Sequence, residues 1–351
     1  MTTDLFLALV RSGLYERPLT ADAVSLARKT TPEGWQAILD AARRQAVLGL
    51  LYQALFLLPP EIKPPERFVT ELMSDTLRAI RRYYEISSVT ESLMNRLQSA
   101  GLSPIVMKGT SVASYYLHPA FRICGDIDLY LPPNEIKHAH AMLEERSISP
   151  DGSLLGRVKG IDIDLHDHYF DLHCATRKLP AVGTPEATLL MLSAHILKHA
   201  IGPGVGLRQL CDMAMAWKVL GSNIDIPALK QIFRRTGTWR WNQLLFSFLA
   251  EKLEVSDHPF IGEQVSPKPL EKIILEGGNF GHYASSRGTA LSAGSRQRKL
   301  NTLKRFLRRL PFSLHYAPKE TLATMGSLLS GNLRNSFSFT NLSFADFCTN
   351  K

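Results

Sequence analysis

The chain has 351 residues, 45% hydrophobic and 21% charged, which is the make-up of a globular protein long enough for two or three packed units. It contains no uninterrupted apolar run long enough to span a bilayer, so no transmembrane helix is expected. The opening MTTDLFLALVRSGLY lacks a basic head and a clear cleavage site, so no signal peptide is expected either. Its four cysteines, Cys124, Cys174, Cys211 and Cys348, are widely spaced and form no Cys-x-x-Cys. That spacing suits a reducing, cytoplasmic setting and argues against a cysteine-built zinc site. A net charge of +9 and a pI near 9.4 admit an anionic partner such as a nucleotide, a nucleic acid or a lipid headgroup.

Residues 1–100 read as helices. Thr20-Ala21-Asp22 and Thr31-Pro32-Glu33 are helix starts, the second with Pro at the first helical position. Trp35, Ile38, Leu39 and Ala42 follow it at helical spacing. Phe68 to Gln98 is one long amphipathic stretch whose Arg78, Arg81 and Arg82 read as a solvated face, the other reading being contact with an anionic substrate. Ala100-Gly101-Leu102-Ser103 closes it, with Gly as the cap.

Residues 104–131, PIVMKGTSVASYYLHPAFRICGDIDLYL, organise the rest. Pro104 to Met107 predicts a short buried strand, Lys108-Gly109-Thr110-Ser111 a turn, and Ser111 to Leu117 a short helix that His118-Pro119 ends. On a second strand, Asp126 and Asp128 share one face while Ile127, Leu129 and Leu131 take the other. Two adjacent carboxylates repel, and a divalent cation relieves the repulsion; the plain alternative is a solvated strand edge. A Gly-Thr turn at a helix start offers N–H groups to a phosphate. Together the two are parts of a phosphoryl- or nucleotidyl-transfer site.

This segment resembles the polymerase-β-type nucleotidyltransferase superfamily. It is more closely similar to an uncharacterised bacterial nucleotidyltransferase family, through Met107-Lys108-Gly109, Tyr115-Tyr116, Arg122 and Gly125-Asp126-Ile127-Asp128-Leu129. Lys108-Gly109-Thr110 stands where the superfamily carries Gly-Ser, and the step to Asp126 is longer than in its minimal members. The resemblance implies an α/β (α+β) fold, with a small mixed sheet flanked by helical regions at both ends. It also implies transfer of a nucleoside monophosphate from an NTP, ATP being the expected one, to an acceptor hydroxyl with Mg²⁺ or Mn²⁺. Asp126 and Asp128 would hold the metal, Gly109 and Thr110 would cradle the phosphates, and Lys108 and Arg122 would neutralise them. Lys108 pairing with an aspartate, and Arg122 bracing the sheet, are the alternatives.

After Pro132-Pro133-Asn134, a helix is expected over Glu135 to Arg146, with His138 and His140 on its surface, and then a turn over Ser147 to Gly152. In KGIDIDLHDHYFDLH, residues 159–173, apolar 161, 163 and 165 alternate with Asp162, Asp164 and His166, which predicts a strand with one acidic face. The family resemblance places a third metal-binding carboxylate on such a strand. Asp164-Leu165-His166 matches its Asp/Glu-Leu-His step, so Asp164 is the choice, Asp162 the second, and Asp171 a competitor. His166, His168 and His173 with Asp164 and Asp171 would make a zinc cluster. Three carboxylates without nearby cysteines favour a hard, oxygen-loving ion instead.

Thr184-Pro185-Glu186 starts a helix that carries His195 and His199 on one face, and a further helix sets Arg208 and Asp212 four apart, able to pair. Residues 194–212 are similar to the same family, as more loosely is the 277–282 loop. In RQRKLNTLKRFLRRL, residues 296–310, Leu300, Leu303, Leu307 and Leu310 fall on one helical face. This basic helix would either meet a membrane surface or nucleic acid, or dock on the core with a solvated outer face. Residues 327–350 read as loosely ordered. The expected parts are a helical region (1–100), a catalytic core (101–180), a helical region closing the cleft (181–260) and a basic tail (261–351). The acceptor (protein, RNA, sugar or small molecule) is not written in the sequence. A non-catalytic nucleotide- or partner-binding protein on the same fold is the main alternative, and a nucleic-acid-binding helical protein the weaker one.

Overall fold

The computed structural model describes residues 2–148, 153–173, 179–202, 204–263, 265–278 and 295–334, and of 295–305 and 327–334 the backbone alone. Four helices open the chain: α1 (Thr2–Tyr15), α2 (Ala21–Arg28), α3 (Pro32–Gln45) and α4 (Leu48–Leu55). The side chains of Thr20 and Thr31 accept from Ala23 N and Gly34 N and cap α2 and α3, as the Thr-x-x pattern predicts. Then comes α5 (Glu66–Ser99). Gly101, at φ 78°, turns the chain out of it, and Leu102 N donates to Leu97 O at 3.1 Å.

A five-stranded mixed sheet follows, with β1 (Ile105–Val106), β2 (Ile127–Tyr130), β3 (Glu145–Ile148), β4 (Leu154–Val158) and β5 (Ile161–His166) in the order β1-β2-β5-β4-β3. Only the β2–β5 pair is parallel. The short α6 (Thr110–Ala113) lies between β1 and β2, and α7 (Ile136–Ala141) between β2 and β3. Ile127, Leu129, Ile161, Ile163 and Leu165 are buried in one cluster with Ile86, Val89, Leu93 and Leu97 of α5. The apolar strand face therefore packs on α5, each such side chain contributing about 1.5–3 kcal/mol, and the acidic face is left for chemistry.

Three expectations are corrected here. The helix expected over 135–146 ends at Ala141, because Glu145–Ile148 pair with β4 as an edge strand. The turn expected over 147–152 therefore begins later, and 149–152 lie outside the described residues. The helix after Gly109 spans four residues rather than 111–117.

By its contacts the chain divides into two compact units. The first comprises 1–169, 206–219 and 252–254, and the second the remainder. In the first, α9 (Leu207–Leu220) joins α1–α7 and the sheet. The second is helical: α8 (Pro185–Ile201), α10 (Ile226–Arg235), α11 (Trp239–Leu253, its last turn in the first unit), α12 (Lys268–Gly277), α13 (Ser295–Tyr316) and α14 (Pro318–Arg334). Ser193 Oγ donates to Asn242 Oδ1 at 2.7 Å, and Trp241 Nε1 donates to Ser193 O at 3.1 Å, which ties α8 to α11. In α13, Phe306, beside the expected apolar face, is buried, Leu310 is half-buried and Leu307 and Arg308 are exposed, while the side chains of Leu300 and Leu303 lie outside the described residues. Arg309 donates to the carbonyls of Ala200 (2.8 Å) and Gly202 (3.1 Å) at the end of α8, where a cation suits the free carbonyls. The described part of the basic helix is thus docked. The 277–282 loop, from 279 on, and residues 335–350 lie outside the described residues, and 327–334, expected to be loose, continue α14. Among the described residues no helix is long and apolar enough to cross a membrane.

Candidate metal and nucleotide site

The site lies within the first unit, where β1, β2 and β5 run side by side. The parallel register sets Asp128 opposite Asp164 and Tyr130 opposite His166. Since residues two apart share a strand face, Asp128, Asp164 and His166 are delivered to the same side. One donor atom from each lies within 4.8 Å of the others. His166 Nε2 is 3.0 Å from Asp128 Oδ1 and 3.8 Å from Asp164 Oδ2.

β1 pairs antiparallel with β2, Val106 opposite Leu129, and Met107 N donates to Asp128 O at 3.0 Å. Lys108 therefore leaves the strand end beside Asp128, and its Nζ lies 3.0 Å from Asp128 Oδ1, both residues buried. The pairing of Lys108 with an aspartate is the alternative raised above. Gly109 follows at φ 68°, a left-handed conformation natural to Gly, and so brings Thr110 to the head of α6.

The electrostatics are those of crowded carboxylates. Burial, opposed by His166 and reinforced by the charge of Asp128, holds the Asp164 carboxyl above the ordinary range. Asp126 keeps contact with solvent, yet the protein crowding around it, then the charge of Asp128, raises its carboxyl too, with Lys108, Arg208 and Arg122 pulling the other way. Asp164 Oδ1 is buried and has no hydrogen-bond partner among the described residues. An orphaned, buried carboxylate oxygen beside a second carboxylate and an imidazole is a fit donor set for a divalent ion. Asp126 is not among the three converging residues.

The remaining sequence candidates have other partners. Asp162 is exposed and bonds to Arg157 at 2.8 Å. In the second unit Asp171 takes His195 at 2.9 Å and Lys198 at 2.7 Å, and His173 Nδ1 is 2.6 Å from Glu320. His168 sits on Asp167. Of the residues considered for a zinc cluster, His166 and Asp164 belong to the converging set.

Arg122, expected at the phosphates, is buried and clamps Asp212 of α9 through Nε (3.0 Å) and Nη2 (2.7 Å), while Tyr116 Oη donates to the same carboxylate at 2.8 Å. Its guanidinium is committed to that brace. Burial opposes the charge on Asp212, but Arg122 outweighs it and holds the carboxyl below the ordinary range. Arg208, expected to pair with Asp212, attracts it electrostatically and also donates to Ile123 O at 2.7 Å. The segment 122–126 that carries Asp126 is thus gripped twice by α9. The sequence reading weighed His166 only as a member of a zinc cluster and Asp212 only as a partner of Arg208. The alternation 162-164-166 held the signal for the first, whereas the grip of Asp212 on a residue 90 positions away has no local signal.

A family model described as an uncharacterised nucleotidyltransferase matches residues 31–253, from the helices before the sheet through α9 to α11. No curated protein and no solved structure matches the chain.

Proposed function

Because this chain belongs to the uncharacterised nucleotidyltransferase family, we propose that it transfers a nucleoside monophosphate from an NTP, ATP first among them, to an acceptor hydroxyl. The observation that carries this reading is the register of Asp128 on Asp164, with the buried, unpartnered Asp164 oxygen beside it. Asp128 and Asp164, with Asp126 at the mouth, would hold a divalent ion, Mg²⁺ or Mn²⁺. Bound there, the ion would neutralise charge developing on the phosphates.

In the reaction, the acceptor oxygen bonds to the α-phosphorus, the bond to the bridging oxygen of pyrophosphate breaks, and pyrophosphate leaves. Asp164 takes or relays the acceptor's proton. Gly109 and Thr110 hold the terminal phosphates through backbone N–H groups and a hydroxyl. Lys108, already within reach of Asp128, supplies a positive charge to the phosphates. Arg122 and Asp212 position the strand entry instead of touching the nucleotide.

The test is incubation with α-phosphate-labelled NTPs and Mg²⁺ or Mn²⁺, comparing wild type with Asp128→Ala after both are shown to fold. Label on protein or RNA that falls by about 10²-fold or more in the variant supports transfer; equal labelling counts against the site.

One observation favours a second reading. The Lys108–Asp128 ion pair supplies a positive charge from within the chain, which would allow a nucleotide-binding protein without catalysis. Equilibrium NTP binding with no labelled product under any divalent ion would favour that reading.

A further inference from the structure

We infer that His166 is itself a ligand of the ion, and that Asp128, Asp164 and His166 thereby favour a first-row divalent transition ion, Mn²⁺ being the probe, over Mg²⁺. The inference rests on the metal-dependent reading above. Its first support is spacing. Two donors held at about 2.1 Å on adjacent positions of one octahedral ion stand about 3.0 Å apart. His166 Nε2 is 3.0 Å from Asp128 Oδ1 and 3.8 Å from Asp164 Oδ2, so a slight contraction toward one ion makes all three ligands.

The second support is delivery. His166 ends a strand paired on both sides of the acidic face, and its carbonyl accepts from Leu131 N at 3.0 Å. Its imidazole is therefore brought in by rigid backbone, as a ligand must be. The third is Asp164 Oδ1, buried and without a hydrogen-bond partner among the described residues, a charge that a cation held by that carboxylate would neutralise.

The preference follows from donor chemistry. Mg²⁺ is hard, keeps water and oxygen ligands, and gains little from nitrogen, whereas imidazole suits the first-row transition ions. Lys108 Nζ, 3.0 Å from the same Asp128 oxygen, competes with either ion alike. It lowers affinity without changing the choice between them.

The test uses the full chain, stripped of metal and without nucleotide, titrated calorimetrically with Mn²⁺ and separately with Mg²⁺, for wild type, His166→Asn and Asp164→Asn. Wild type is expected to bind Mn²⁺ on the order of tenfold or more tighter than Mg²⁺. His166→Asn is expected to lose most of that ratio by losing Mn²⁺ affinity. Pulsed electron paramagnetic resonance of the Mn²⁺ complex should show a directly bound nitrogen that disappears in the variant. A variant with the wild-type ratio, and a wild-type spectrum without bound nitrogen, would overturn the inference and leave the carboxylate site and the transfer reading standing. Failure of wild type to bind either ion, with Asp164→Asn indistinguishable from it, would overturn both. If His166→Asn does not fold, His166→Gln and the wild-type spectrum decide.

Discussion

Asp128 stands at the centre of the site's chemistry, since Lys108 and His166 both reach its Oδ1 at 3.0 Å. Gly125, three residues before it, is informative for the opposite reason. Its φ is not in the left-handed region, and a Cβ there would meet no heavy atom within 4 Å, so the fold itself does not require Gly. Gly125 and Asp126 are both exposed, so a nucleotide bound at the proposed site would have room to pass close to the Gly125 backbone. Gly125→Ala is expected to fold with unchanged or slightly raised stability, by up to about 1 kcal/mol. It should bind NTP about tenfold more weakly, as read by equilibrium nucleotide titration; wild-type affinity would remove the space from the site. Asp212 offers a test by pH. Its carboxyl is held below the ordinary range by Arg122, so the pair's stabilisation is present above the unfolded-chain value and is lost as pH falls through the lower folded value. Asp212→Asn leaves Arg122 buried without its counter-charge. It is expected to cost about 3–5 kcal/mol at neutral pH, with the deficit shrinking toward strongly acidic pH, measured by urea unfolding across the range.

At the scale of elements, the strand that carries Asp126 and Asp128 is positioned by helices remote in sequence. α9 grips residues 122 and 123, and α4 approaches Phe121 so closely that a Cβ on Gly49 would stand 2.2 Å from its carbonyl oxygen. Backbone cannot yield there as a side chain tip would, so Gly49→Ala must push α4 and the Phe121 segment apart. The expected loss is about 1–3 kcal/mol, seen as a lower denaturation midpoint, together with weaker metal binding because the displaced segment leads straight into Asp126. A variant that unfolded earlier yet bound metal normally would show that α4 supports the fold but not the site.

For the whole molecule, the metal-dependent reading predicts linkage between ion and stability. A ligand that binds only the folded chain adds about 2.7 kcal/mol at a hundred times its Kd. Saturating Mn²⁺ is therefore expected to raise the thermal midpoint of wild type by several degrees and to leave Asp164→Asn unmoved in a differential scan. The two compact units make the scan informative, because the shift should fall on the transition of the unit that holds Asp128.

The sequence by itself determined the local parts: helix starts at Thr20, Thr31 and Thr184, the capped end of α5, two strands with one apolar and one acidic face, and the family. These are set by periodicity and capping, which neighbouring residues decide. Which acidic groups meet was decided by the tertiary structure. The family's Asp/Glu-Leu-His step favoured Asp164 over Asp162, but Asp171-Leu172-His173 carries the same letters. Parallel pairing of β2 with β5 set Asp164 opposite Asp128, Arg157 took Asp162, and His195 with Lys198 took Asp171. It likewise turned 145–148 into an edge strand and drew Arg122 onto Asp212. Register and ion pairing across tens of residues depend on which surfaces pack together, and no local window of sequence carries that information.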